Sequence, residues 1–233
     1  MAARVLYDLA GADPDRRFSP YCWRAKLALA HKGLSFETIP WRFTEKDVIA
    51  MSGQDKVPVL IDGERVVSDS WKIADYLETS YPETPSLFGG PEGRSLARFV
   101  SHWTDRAMVM GVVRMVAADV HAHIHEKDRD YFRASREARL GKSLEDVVAD
   151  REAALPGFRQ GLEPLRALLR EQPFVGGATP TYADYIPFSL FQWAANVSRF
   201  PVLAPDDPLA AWCDRVADLH DGLARKGRLA PAA

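Results

Sequence analysis

The chain has 233 residues, of which 47% are hydrophobic and 27% charged, with a formal charge of −2 and an isoelectric point near 6.3. That length builds one large domain or two small ones around a sizeable core. The near-neutral balance argues against a nucleic-acid partner, and no apolar run reaches the ~20 residues that cross a bilayer.

Two cysteines, Cys22 and Cys213, make no disulfide framework. The N-terminal stretch lacks the continuous apolar segment of a signal peptide. A reducing cytoplasm is therefore the expected location.

Residues 4–9, RVLYDL, form a short β-prone run. A helix is predicted over 20–31, ended by Gly33, and FETIPW (36–41) reads as a second strand. A weak helical signal follows at 45–51. VPVLID and GERVVSD then meet at Asp62-Gly63, the signature of a hairpin. A helix over 70–81 places Ile73, Tyr76 and Leu77 on one face. Residues 81–93, YPETPSLFGGPEG, are rich in proline and glycine and read as a linker. Beyond them helical periodicity runs from 94 to 223, with breakers at Pro156-Gly157, Gly176-Gly177, Pro201 and Pro205. Two domains are expected: an α/β unit at 1–82 and an all-helical unit at 92–225.

The chemistry concentrates in the first unit. Ser19-Pro20-Tyr21-Cys22 opens the first helix, and the βαβ-ββα order resembles a thioredoxin-like fold. The motif resembles the Cys-Pro-Tyr-Cys of glutaredoxins with serine in place of the first cysteine. Free N–H groups and the helix dipole favour an anion at that position. A serine does not ionise there, but its hydroxyl can donate to the thiolate of another molecule. Val57-Pro58 opens the next strand, where an X-Pro bond is able to be cis and leave backbone groups free to clamp an extended peptide. Asp69 and Ser70 stand at a helix start and suit an α-amino and an α-carboxylate group. A thiol, a peptide backbone and a free amino-acid head together describe glutathione. Gln54 and Lys56 are candidates for its glycine carboxylate, with Trp41 and Arg42 as weaker ones.

These motifs, in this order, resemble the glutathione transferases. The likeness runs from Tyr7 to Leu223 and is nearest to the bacterial glutathione-dependent beta-etherases, through SPYCWRAKLALAHKG, DSWKIADYLE, DRDYFRASREARLG, SLEDV, TYADY and PDDPLAAWCDR. It implies a thioredoxin-like domain followed by an all-α domain, glutathione as cosubstrate, no metal and a homodimer. It also implies an aromatic acceptor between the domains, against His102, Trp103, Met108 and Met110 and the loop at 10–18. Ser19 is the expected catalytic residue; Gln54, Lys56, Val57, Pro58, Asp69 and Ser70 are the expected glutathione ligands. Cleavage of a β-aryl ether is the specific reaction implied. The rival is a carrier of aromatic ligands or glutathione conjugates on the same fold, without turnover.

Other readings compete at single positions. Many relatives in this resemblance use a tyrosine of the first strand, which makes Tyr7 the rival to Ser19; as a strand residue it is expected in the core or pocket wall. Cys22 reads as a buried structural thiol. In HAHIH (121–125), His121 and His125 share a helical face and His123 points away, which is no tetrahedral metal site.

Overall fold

The computed structural model describes residues 4–227. Strands β1 (Arg4–Leu9), β2 (Phe36–Trp41), β3 (Val59–Asp62) and β4 (Arg65–Ser68) form one sheet in the order β2-β1-β3-β4. β1 and β2 run parallel, with Leu9 opposite Trp41, and β3 runs antiparallel to β1, with Val59 opposite Tyr7. The parallel pair needs a crossover, and α1 (Pro20–His31) supplies it. With α2 (Ser70–Ser80) after β4, the first unit is thioredoxin-like.

α1 is buried almost all round, from Cys22 to Leu29. A helix without a polar face belongs between two layers. Here the layers are the sheet and α9 (Tyr182–Val197), itself buried along nearly its whole length. A cluster of α1, α9 and sheet side chains makes the core continuous across both units.

The helical unit begins with α3 (Pro91–Trp103), and Pro91 takes the first helical position, where its missing N–H removes nothing. The expected linker therefore ends three residues early. A π-helical turn, Thr104–Met108, joins α3 to α4 (Val109–His123). Then come α5 (Glu126–Leu140), α6 (Leu144–Val148), α7 (Arg151–Gly161) and α8 (Glu163–Glu171), and α10 (Pro208–Gly222) follows α9. No helix among the described residues is long and apolar enough to cross a membrane.

Three sequence expectations need correction. Pro156 does not break the chain: it lies inside α7, which buries no residue, so the carbonyl it leaves unpaired can meet water. His121 and His125 do not share a helix, because α4 ends at His123 and His125 caps α5, its Nδ1 accepting the Lys127 N–H at 3.3 Å. The weak helix at 45–51 is a 3-10 segment, Lys46–Ser52.

Asp184 fastens the centre of the helical unit. It closes a capping box with Thr181 at the start of α9. One oxygen accepts from Val175 N at 2.6 Å and Trp212 Nε1 at 3.0 Å; the other accepts from Thr181 N and Gly176 N. Burial pushes this carboxyl upward, against the pull of those four donors.

Candidate active site

The order of the sheet brings the sequence motifs to one edge. β1 and β2 end at this edge, β3 begins there and β4 returns to it. The loop from β1 leads to Ser19, Val57-Pro58 precedes β3, and Asp69-Ser70 follow β4. Three motifs spread between residues 19 and 70 thus face a common region.

Ser19 is the N-cap of α1, with extended backbone (φ −61°, ψ 124°). Its Oγ accepts the Cys22 N–H at 3.3 Å, and the residue is 5% exposed. Accepting through its lone pair leaves the hydroxyl proton able to donate. The Cys22 thiol lies against that hydroxyl, fully buried, and burial pushes its pKa far above the usual thiol range. Cys22 is therefore a protonated core thiol and no nucleophile.

The Val57-Pro58 bond is cis. Among the described residues no backbone partner engages the N–H or C=O of Val57, while Pro58 O accepts from Asp69 N at 3.4 Å. That bond ties the cis turn to the head of α2. Asp69 is exposed and has φ 77°, a left-handed value that a non-glycine residue adopts at a cost of about 1–3 kcal/mol. The conformation caps α2: one carboxylate oxygen takes Trp71 N at 2.9 Å and Lys72 N at 3.1 Å. The other oxygen has no protein partner among the described residues. Ser70 is buried in the first turn, and its carbonyl accepts the Tyr182 hydroxyl at 2.8 Å from the helical unit. Gln54 and Lys56 are exposed in the loop before the cis bond, and Lys56 has no ion pair among the described residues. Trp41 and Arg42 are committed elsewhere: Trp41 Nε1 donates to Glu45 O, and Arg42 donates to the Glu45 carboxylate and Gly11 O.

Tyr7 is half-buried on β1 and packed against the core. Met108 is buried as well, whereas His102 and Met110 are exposed and Trp103 is half-buried. Among the described residues no group of histidine, cysteine or acidic side chains can hold a metal.

Several residues at this edge escaped sequence reasoning. Tyr21, in the first turn of α1, lies under the Arg24 guanidinium at 4.7 Å, and Arg24 pairs with Asp105 of the π turn at 2.9 Å. Burial first, then the Asp105 carboxylate, push the Tyr21 phenol upward. A π turn in a long helix has no simple sequence signal, though such turns often mark functional sites.

Two family models cover the chain: a glutathione S-transferase N-terminal domain at residues 14–85 and a glutathione S-transferase C-terminal domain at residues 95–222. The chain belongs to the glutathione S-transferase family. Among curated relatives, glutathione S-transferase U28 of Arabidopsis thaliana is 25% identical over 207 residues, covering 86% of this chain and 81% of the relative. Glutathione S-transferase Z1 of the same plant is 39% identical, but over only 69 residues, 28% of this chain and 31% of the relative. The transferase GSTFuA3 of Phanerochaete chrysosporium superposes with a TM-score of 0.82 at 26% identity, covering 93% of this chain and 97% of that one. CsGST63524 of Ceriporiopsis subvermispora, solved in complex with glutathione, gives 0.79 at 25% identity, covering 99% and 100%.

Proposed function

We propose that the protein activates glutathione through Ser19 and directs the thiolate at an aromatic electrophile. The observation that carries this reading is the shared sheet edge. A donor hydroxyl at a helix N-terminus, an unengaged backbone at Val57 and a free carboxylate oxygen on Asp69 match the thiol, peptide and amino ends of one ligand. In this reading Val57 and Pro58 hold the cysteinyl backbone, and Asp69 and Ser70 hold the γ-glutamyl head. Gln54 and Lys56 meet the glycine carboxylate. The N-terminal unit at 1–82 binds glutathione and the helical unit at 92–225 lines the acceptor cleft.

The reaction proposed is displacement. In a β-aryl ether with an α-ketone, the carbon bearing the aryloxy group is activated by the adjacent carbonyl. The thiolate sulfur forms a bond to that carbon, and the carbon–oxygen bond breaks with its electron pair on the leaving phenolate. A phenolate with a conjugate-acid pKa of about 10 departs without full protonation. The protein then has to hold a poised thiolate roughly 3–3.5 Å from the carbon and in line with the leaving oxygen. The test is incubation with glutathione and a fluorogenic phenacyl aryl ether, followed by measurement of freed phenol and thioether. Conjugation of halo-aromatics without phenol release removes the etherase reading and keeps the transferase. Glutathione binding with no turnover of any acceptor favours a carrier.

A cytoplasmic homodimer is part of the proposal. Leu96 and Phe99 on α3, and Met51 and Val66 on the sheet side, are exposed apolar groups that a second copy would cover. Sedimentation equilibrium measures this directly.

A further inference from the structure

In the helical unit Arg136 is half-buried and has no carboxylate partner among the described residues. Arg136 lies on α5, one turn after Phe132, and its guanidinium sits 4.6 Å from the Phe132 ring centroid and 4.7 Å from that of Phe43. Its Nη1 donates to Ser135 Oγ at 2.8 Å, and no carboxylate pairs with it among the described residues. Arg133, three residues earlier, shows the contrast: Glu137 and Glu145 hold it at 2.8 Å each. Arg136 is half-buried, and burial followed by the positive charge of Arg139 lowers its pKa. A desolvated charge without a partner is destabilising, and the two ring faces return part of that loss.

Its location ties this cation to the candidate active site. Phe43 follows Trp41, the residue opposite Leu9, so it belongs to the same sheet edge as the loop to Ser19. Asp128 in the first turn of α5 accepts the N–H groups of Phe43 and Thr44, which holds α5 against that edge. Arg136 therefore stands beside the loop that leaves β2, at the sheet edge that also carries the loop to Ser19.

We propose that Arg136 binds a carboxylate carried by the aromatic acceptor, so that the enzyme prefers acidic aromatic electrophiles; this rests on the transferase reading above. Glutathione's own carboxylates are assigned to Ser70 and to Gln54 and Lys56, which leaves Arg136 for the second substrate. A guanidinium presents a planar fork of N–H donors that matches a carboxylate. Phe43 and Phe132 beside it make its surroundings aromatic, which suits a ring that bears the acid.

The test uses a matched pair, 4-chloro-3-nitrobenzoate and 4-chloro-3-nitrobenzamide, at saturating glutathione. In each the thiolate sulfur bonds to the chlorine-bearing carbon, chloride leaves with the bonding pair, and the thiol proton has passed to water. The full-length protein should show higher kcat/KM for the benzoate. In R136Q the benzoate-to-benzamide ratio should fall at least tenfold, and R136K should restore part of it. An unchanged ratio overturns the proposal. So does a rise in glutathione KM that is the same with both acceptors, because Arg136 then serves glutathione. If the wild type turns over neither compound, the transferase reading is decided by the aryl ether assay above, and a binding measurement decides this inference separately. Trp41 lies 6.2 Å from Phe43 and reports a bound nitroaromatic by quenching. A Kd for the benzoate at least tenfold weaker in folded R136Q supports the carboxylate site, and equal Kd values overturn it.

Discussion

Asp128 accepts the backbone N–H of Phe43 at 2.7 Å, across the boundary between the helical unit and the sheet. The same carboxylate takes the Thr44 N–H at 3.2 Å and the Thr44 hydroxyl, and the residue is buried. One side chain thus sets the distance between α5 and the loop after β2. Asp128→Ala takes the acceptor from three donors: the Thr44 hydroxyl, which can turn to water because Thr44 is exposed, and two backbone N–H groups, each worth about 1–3 kcal/mol when buried. A stability loss of roughly 2–4 kcal/mol is expected by urea titration. Asp128→Asn should lose less, because its amide oxygen still accepts. Equal losses in both variants would show that the bonds to Phe43 and Thr44 contribute little.

Ser19→Ala separates the proposed catalytic role from the capping role. Loss of the cap removes about 1 kcal/mol of stability. Loss of the donor should raise the thiol pKa of bound glutathione toward its free value. A depression of about two units in the wild type corresponds to roughly 2.7 kcal/mol of preference for the anion. The ultraviolet band of the thiolate, followed against pH in wild type and variant, measures the shift. If Ser19→Ala keeps full activity while Tyr7→Phe loses it, the thiolate is held from β1.

The thioredoxin-like half was legible because its signals are local. Gly33 ends α1, Asp62-Gly63 turns the hairpin, and β1, β2 and α1 have the bounds that the pattern predicts. Ser19, Pro58 and Asp69 each carry a short-range signature, so the candidate site could be assembled from motif order. What the sequence hid is long-range or solvent-dependent. Asp128 and Phe43 are 85 positions apart, and nothing in either neighbourhood announces their bond. Pro156 looked like a breaker because propensity is local, whereas its tolerance depends on the exposure of α7. The π turn, and the lack of a carboxylate beside Arg136 among the described residues, depend on which neighbours are absent, and pattern does not report absence.

Asp69→Asn isolates charge from geometry. Asparagine caps helices about as well as aspartate and tolerates positive φ, so α2 should remain intact. The proposed ionic partner of the glutathione amino group is then gone. A truncated buried charge pair costs about 2–5 kcal/mol; this carboxylate is exposed in the free protein, so the low end applies, a rise of roughly 30-fold in glutathione Kd. Calorimetric titration giving the wild-type affinity would remove Asp69 from the site.

Asp184→Ala should be the most damaging single substitution in the helical unit. Four donors lose their acceptor: the backbone N–H groups of Val175, Gly176 and Thr181 and the indole of Trp212. At about 1–3 kcal/mol for each buried donor, the loss rivals the whole stability of many domains. Low recovery of folded protein with loss of cooperative unfolding is expected. A variant that unfolds with the wild-type midpoint would show that these donors find other partners.

Acid stability should depend on a histidine–tyrosine chain between α1, α9 and α10. His31 Nε2 donates to Ser86 O at 3.0 Å, so the Nδ1 of the neutral ring accepts the Tyr185 hydroxyl at 2.7 Å. The tyrosine oxygen then accepts from His220 Nε2 at 3.1 Å. Both histidines are thereby satisfied as neutral rings. Burial, then the nearby His31, push His220 down from 6.5 to about 4, with Asp221 opposing weakly; burial also lowers His31, beside Lys32 and Glu78. His220 is held at φ 53°, in a bend that ends α10. A depressed pKa means that the unfolded chain binds more protons than the folded one between these two values. Stability from this group is therefore complete above about pH 6.5 and declines as pH falls toward 4. Between pH 7 and pH 5 the expected loss is about 1 kcal/mol, after allowance for screening at a half-buried ring. The depressed carboxyls, Glu45, Glu78, Glu145, Glu163 and Asp207, protonate below pH 5, whereas His121 and His123, also lowered by burial, form the background of acid sensitivity that remains in a His220 variant. His220→Asn suits the left-handed backbone and removes the titrating group. It should be less stable at pH 7 yet lose less on acidification, as measured by urea midpoints at both pH values. A variant as acid-sensitive as the wild type would place the titration elsewhere.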